Sequence, residues 1–273
     1  CQAHTVTKTR LKRAEKVGNN TTVRTYSQHM KQTFTYQVLE GDARTVGRLQ
    51  AKRLIEAKPE ARAFFGSPFM AATDRLKEGN RLLELNERWC PGMNEEIAGF
   101  AEGLGVKPEA VVYYTATIPK TGHCSHFAIL PDHTTTGTTL CGRSYEWSLE
   151  DEMTLTTVRI PGRAAHTGFG LFAFGRFDGI NEHGLWVSMS AANPAAPLPE
   201  TEGLRFWPLL RTILDRAAKC EEALDIAKEF PVAFHLNLIV ADRSGHAVLI
   251  EKRPDAMGIK KADSGFLHSE NHY

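Results

Sequence analysis

Apolar and polar positions follow two different periods along this chain. Residues 32–39 alternate as a strand requires, and Gly41-Asp42 then opens a helix in which Val46, Leu49, Leu54 and Ile55 lie close to one stripe. That helix stops before Pro59, because a proline pushes its predecessor out of the helical region. A second helix is predicted over residues 71–89, with Leu76, Leu82, Leu83 and Leu85 as its apolar side. A third covers 93–104, carrying Ile97, Phe100, Ala101 and Leu104, with Gly105 as its stop. Pro108 suits the first turn of a short fourth helix running into Val111, Val112 and Tyr113.

After Gly122 the period changes from helical to extended. Runs rich in branched and aromatic residues fall at 127–130, 139–147, 153–160, 169–174, 185–190, 236–241 and 247–251. Turn clusters separate them: Asp178-Gly179, Asn181-Glu182-His183-Gly184 and Asp242-Arg243-Ser244-Gly245. One helical stretch interrupts, 205–230, broken near Lys219. Hairpin-length spacings predict antiparallel sheets, with the early helices and this later pair covering their outer faces. The chain thus divides into a basic polar arm (1–30), a mainly helical segment (31–123) and a β-rich part (124–273).

Composition narrows the function classes. The 33 basic and 32 acidic residues nearly cancel, so no global field points to nucleic acid. No run reaches the roughly 18 to 20 apolar residues that cross a bilayer. The arm, with Lys8, Arg10, Lys12, Arg13, Lys16 and Arg24, holds too few large apolar residues to bury much and is expected to be mobile. Cys1 stands at the first position; a lipidated lipoprotein start in the cell envelope and a fragment end, with a cytoplasmic protein, both stay open. The five cysteines are scattered without a CxxC pair, so neither a disulfide framework nor a zinc ribbon is indicated. Cys90, Cys141 and Cys220 read as small buried hydrophobes.

Cys124 is different. It begins a strand-like run, and a Thr/Gly turn leads to a second run that carries Arg143 and Glu146. A hairpin would bring both towards the thiol, since antiparallel neighbours sit about 5 Å apart. A thiol, a cation and a carboxylate are the parts of an activated nucleophile. Residues 143 and 146 have opposite parity, so both can face Cys124 only if a bulge or the strand's end intervenes near Tyr145. His123, His126 and His133 lie near Cys124 in sequence, but no carboxylate or second cysteine completes a ligand pattern, so no metal is expected. No cofactor is indicated either.

Four places in the chain resemble one family. Leu39-Glu40-Gly41-Asp42 with Gly47 is similar to an early glycine-containing helix start. The segment from Asn94-Glu95-Glu96-Ile97 to Gly103-Leu104-Gly105-Val106 resembles an E-x-x-G-x-A-x-G helix. His123-Cys124-Ser125, followed by Gly142-Arg143-Ser144-Tyr145-Glu146-Trp147, resembles C-[ST]-S … G-[RQ]-N-x-D-W. Leu267-His268-Ser269-Glu270-Asn271-His272-Tyr273 resembles T-N-H-[FY]. The family is the autoproteolytic N-terminal-nucleophile acyltransferases and hydrolases typified by acyl-coenzyme A:6-aminopenicillanate acyltransferase. Choloylglycine hydrolases and penicillin V acylases are more distant likenesses. Glu146, Ser144 and His123 depart from the usual Asp, Asn and small residue. Such proteins normally continue beyond the Asn-His motif, so the β-rich part reads as truncated.

The resemblance implies an α+β fold, a four-layered αββα sandwich of two antiparallel sheets. It also implies a precursor that cuts itself between His123 and Cys124, leaving a heterodimer of its two chains. The freed Cys124 amine would serve as base, Arg143 would hold substrate or thiolate charge, Glu146 would fix the ammonium, and Asn271 would donate to the oxyanion. The substrate implied is a small acyl amide or acyl thioester. Asn193 is a further candidate contact. Three rivals remain: a choloylglycine-hydrolase-like amidase, a Cys124/His272 hydrolase that stays uncut, and an inactive lipid-tethered binding protein.

Overall fold

The structure is a computed structural model that describes residues 2–8, 14–17, 20–23, 30–117, 123–146, 154–170, 175–192, 203–262 and 264–272. In chain order these form β1 (Gln2–Lys8), β2 (Ala14–Val17), β3 (Asn20–Val23), β4 (Met30–Glu40), α1 (Ala43–Ala57), α2 (Ala61–Phe65), α3 (Thr73–Trp89), α4 (Met93–Leu104) and α5 (Pro108–Thr117). Then come β5 (His123–Ile129), β6 (Leu140–Glu146), β7 (Thr154–Arg159), β8 (His166–Gly170), β9 (Asp178–Asn181) and β10 (Trp186–Ala191). The chain continues with α6 (Phe206–Arg216), α7 (Cys220–Glu229), β11 (Leu236–Ala241), β12 (Ala247–Arg253), β13 (Ala256–Lys261) and β14 (Phe266–Ser269). The fold is α+β, built on two packed sheets.

Local signals set the helix ends where the sequence placed them. Asp42 caps α1 by accepting the Thr45 backbone N–H at 2.7 Å, and Gly105 ends α4 in the left-handed conformation at φ 75°. Helices α1 and α4 touch through glycines. A Cβ on Gly47 would lie 2.0 Å from the Glu96 carbonyl oxygen, and one on Gly99 would lie 2.0 Å from that of Arg44. No larger residue fits either place.

The large sheet has nine strands in the order β1-β4-β7-β8-β9-β10-β11-β12-β13, and the small one has three, β14-β5-β6. One pair, β4 with β7, is parallel. The chain leaves β4, passes through the helices and the β5–β6 hairpin, and re-enters beside β4 in the same direction. Strand β11 shows how the faces divide. Leu236, Leu238 and Val240 join a core with α6 and α7, while Ile239 and Ala241 meet Ala128 of β5 and Leu267 of β14 between the sheets. Helices α6 and α7 therefore lie on the face of the large sheet away from the small one. A buried pair, Arg211 Nη2 to Glu96 Oε2 at 2.8 Å, ties α4 to α6.

Asp178-Gly179 is not a turn but the start of β9. Glycine suits the place because a Cβ there would lie 2.8 Å from Leu214 Cδ1 and 3.0 Å from the Thr167 carbonyl oxygen of β8. Of the run at 169–174, Phe169 and Gly170 close β8, which begins earlier, at His166, and residues 171–174 lie outside the described residues. The stretch read as an arm contributes β1, paired antiparallel with β4, and the β2–β3 hairpin.

Candidate active site

The β5–β6 hairpin is regular. Its register pairs Cys124 with Tyr145, His126 with Arg143 and His123 with Glu146. Opposed residues share a face, so Cys124, His126, Arg143 and Tyr145 all point towards the large sheet. Arg143 does sit beside Cys124, with Nη2 3.4 Å from Sγ. Glu146 does not: the expected bulge is absent, parity turns its side chain to the other face, and there it is exposed and accepts from Ser144 Oγ at 3.2 Å. Its place outside the cluster follows from a strand without an extra residue.

The guanidinium of Arg143 crosses into the large sheet. Its Nε donates to the Met189 carbonyl at 3.1 Å, and Nη1 lies 3.5 Å from Asp178 Oδ2. The rings of Tyr145 and Phe177 flank it at 5.2 and 5.6 Å. Asp178 is held in turn, since its Oδ1 accepts the Phe169 backbone N–H at 3.1 Å.

Asn271 reaches the cluster from the segment after β14, but in a different attitude from the one expected. Its Oδ1 accepts the Cys124 backbone N–H at 2.7 Å, and its Nδ2 donates to the Ala191 carbonyl at 2.6 Å. The nitrogen that a cut before Cys124 would liberate is therefore already gripped. Asn237 fixes this segment by donating to the carbonyls of Glu270 and His272 at 3.1 and 2.8 Å.

The His272 ring points to the surface, 74% exposed, with Nδ1 3.9 Å from Glu270 Oε2 rather than against the thiol. Of His123 only the backbone is described, and Asn193 lies outside the described residues. Elsewhere, Glu221, Asp242 and His246 bring one ligand atom each within 4.8 Å of one another. The Asp242 oxygens there already accept the N–H groups of Cys220 and Ser244.

Burial sets the charge states. It pushes the Cys124 thiol up from its ordinary value, against the lowering pull of Arg143 and a hydrogen bond from the Glu146 backbone. Burial alone drives the Cys141 thiol to about 12, and it drives Cys90 to about 12 against weaker opposing groups, so neither is a nucleophile at neutral pH. His126 is not a base either. Burial, and then Arg143, depress it to about 3. Its Nδ1 contacts Ser188 Oγ at 2.6 Å and its Nε2 contacts Ser190 Oγ at 3.2 Å, so it rivets β5 to β10 as a neutral ring.

A pH effect follows with a definite sign. A histidine depressed in the folded state adds full stability above the unfolded value near 6.5, and that stability is lost as pH falls below it. Between pH 7 and 5, wild type should lose about 2 kcal/mol more than a His126→Gln variant, by linkage at about 1.4 kcal/mol per pH unit. Urea unfolding at the two pH values measures it, and equal losses would mean that the ring is protonated in the fold.

Sequence patterns carried part of this. Ser188 and Ser190 alternate with Val187 and Met189, and Asn237 is the single polar residue in β11, each a sign of a polar partner across the sheets. Asp178 had no such sign, because Asp-Gly reads as a turn.

The chain resembles, at a distance, a mutant conjugated bile acid hydrolase from Clostridium perfringens, with 16% identity and a TM-score of 0.39 over 53% of this chain and 52% of that one. It likewise resembles penicillin V acylase from Agrobacterium tumefaciens, with 16% identity and a TM-score of 0.33 over 54% and 45%. The chain spans about half the length of these structures. No curated protein sequence matches it. The sequence model of acyl-coenzyme A:6-aminopenicillanic acid acyl-transferase matches residues 134–273. That match begins after Cys124 and takes in Arg143, Asp178 and Asn271 over more than half of the chain, which belongs to this acyl-transferase family.

Proposed function

We propose that the protein is a cysteine-dependent acyltransferase or amidohydrolase that cuts itself before Cys124 and then works through an acyl-cysteine. One observation carries the reading. The Cys124 sulfur meets Arg143 at 3.4 Å while its nitrogen is held by Asn271 at 2.7 Å, so thiol and future amine are both fixed at one point.

In the precursor the Cys124 sulfur attacks the His123 carbonyl carbon. The peptide nitrogen leaves as the Cys124 amine, taking up a proton, and water then opens the thioester. An α-amine titrating near 7.8 is about one part in seven neutral at pH 7, whereas a lysine is almost wholly charged. It can therefore take the proton of its own thiol, which burial otherwise keeps on the sulfur. The thiolate attacks an amide or acyl thioester, the leaving amine or thiol departs with that proton, and water or an acceptor amine takes the acyl group. Arg143 steadies the thiolate. The surface position of the His272 ring speaks against the uncut Cys124/His272 arrangement.

Intact-mass measurement on the full chain tests the self-cleavage. Wild type should give Cys1–His123 and a chain beginning at Cys124, and Cys124→Ala should stay whole. A single wild-type chain after days at neutral pH, with Cys124 unlabelled by an activated acyl ester, would overturn the proposal. A single chain that is nonetheless acylated at Cys124 would leave a nucleophile without self-cleavage.

A further inference from the structure

We infer that Asp178 is the positioning residue that holds Arg143 on the Cys124 sulfur, supplied to the nucleophile by the opposite sheet. The inference rests on the reading of Cys124 as nucleophile, and it adds a residue that the hairpin and the Asn271 segment do not contain.

A guanidinium is a rigid plane, so two fixed edges determine where the third points. Nε is fixed by the Met189 carbonyl on β10, and Nη1 faces Asp178 on β9. What remains, Nη2, falls on Sγ. The Arg143 side chain is only 4% exposed, so no bulk water stands in for a lost partner. Asp178 is prepared for the task. Phe169 N–H occupies one carboxylate oxygen, which leaves the other to Arg143.

The paired carboxylate also tempers the cation. A lone buried guanidinium at 3.4 Å would favour a permanent thiolate, whereas one balanced by Asp178 leaves the sulfur protonated until a base acts. Burial raises the Asp178 carboxyl and Arg143 draws it back, as expected of a mutually dependent pair.

Asp178→Asn separates geometry from charge. Asparagine has one carbonyl oxygen, so it can accept from Phe169 N–H or from Arg143, not both, and its own N–H groups face the other donor. Arg143 then leaves the sulfur. That loss outweighs removal of the more distant carboxylate charge, because the Coulomb term falls with distance.

The test is the rate at which iodoacetamide alkylates Cys124 between pH 6 and 10, located by peptide mass mapping. Wild type, Asp178→Asn, Arg143→Met and the double variant are compared, with Asp178→Glu as a charge-keeping variant should the asparagine fail to fold. The alkylation midpoint should rise by about one pH unit in Asp178→Asn, by a similar amount in Arg143→Met, and no further in the double variant. Asp178→Glu should show a smaller rise. An unchanged or lowered midpoint in the folded single variants, or additive shifts in the double, would overturn the role. Alkylation needs no acyl chemistry, so its outcome stands apart from acyl-ester labelling of wild type, which tests the nucleophile itself.

Discussion

Replacing Arg143 with methionine should slow acylation of Cys124 by at least about a hundredfold, the scale lost when a preorganised charge partner is removed. Methionine keeps roughly the length and apolar bulk of the arginine stem but supplies no donor to the sulfur. The thiol then keeps its burial and the charge of Glu146, which raise it, against the Glu146 backbone contact alone. The same change strands Asp178, a carboxylate with 15% of its side chain exposed, beside apolar surface. Stability should therefore drop as well, on the order of 3–5 kcal/mol for a broken buried pair.

Arg143→Lys distinguishes the two effects. Lysine keeps the charge near Asp178 but cannot reach Met189, Asp178 and Cys124 from one plane. It should recover most of the stability and little of the acylation. Mass-detected labelling by an activated acyl ester, beside urea unfolding, reads both. Wild-type labelling in the folded methionine variant would remove Arg143 from the chemistry.

That Cys124 and Arg143 meet was legible because both obey a local rule. Cys124 and Arg143 lie on paired strands, and the antiparallel register fixes which residues share a face. The same rule contained the failure of Glu146, since parity already set it against Arg143 and only a bulge would have rescued it. The helices were equally legible, with the Asp42 cap of α1, the Gly105 stop of α4 and the break before Cys220 between α6 and α7.

Asp178 was hidden for the opposite reason. Local grammar assigns Asp-Gly to a turn, but the backbone of β8 and the side chain of Leu214 crowd any side chain at 179, and strand pairing overrides the turn preference. The attitude of Asn271 was hidden too. A motif gives its presence, but Asn237 sets where its carbonyl points, and Asn237 lies 34 positions earlier in the chain, on the other sheet.

Asn271→Asp is the sharpest probe of that attitude. An aspartate preserves the oxygen that receives the Cys124 N–H at 2.7 Å, so a role confined to gripping the nitrogen would survive, and a freed ammonium would be held more firmly. It loses the N–H that reaches the Ala191 carbonyl at 2.6 Å and sets two oxygens against each other there. It also places negative charge beside the carbonyl carbon under attack, where the tetrahedral anion forms. Both losses act on chemistry, so self-cleavage and acyl transfer should each fall by about a hundredfold to a thousandfold. The thermal melt should shift little, because Asn271 is only partly buried and its segment is still pinned by Asn237. Asn271→Ala completes the comparison by removing the grip as well. If the aspartate variant cleaves and acylates like wild type while the alanine variant does not, Asn271 serves the nitrogen alone, and the oxyanion must find its donors elsewhere.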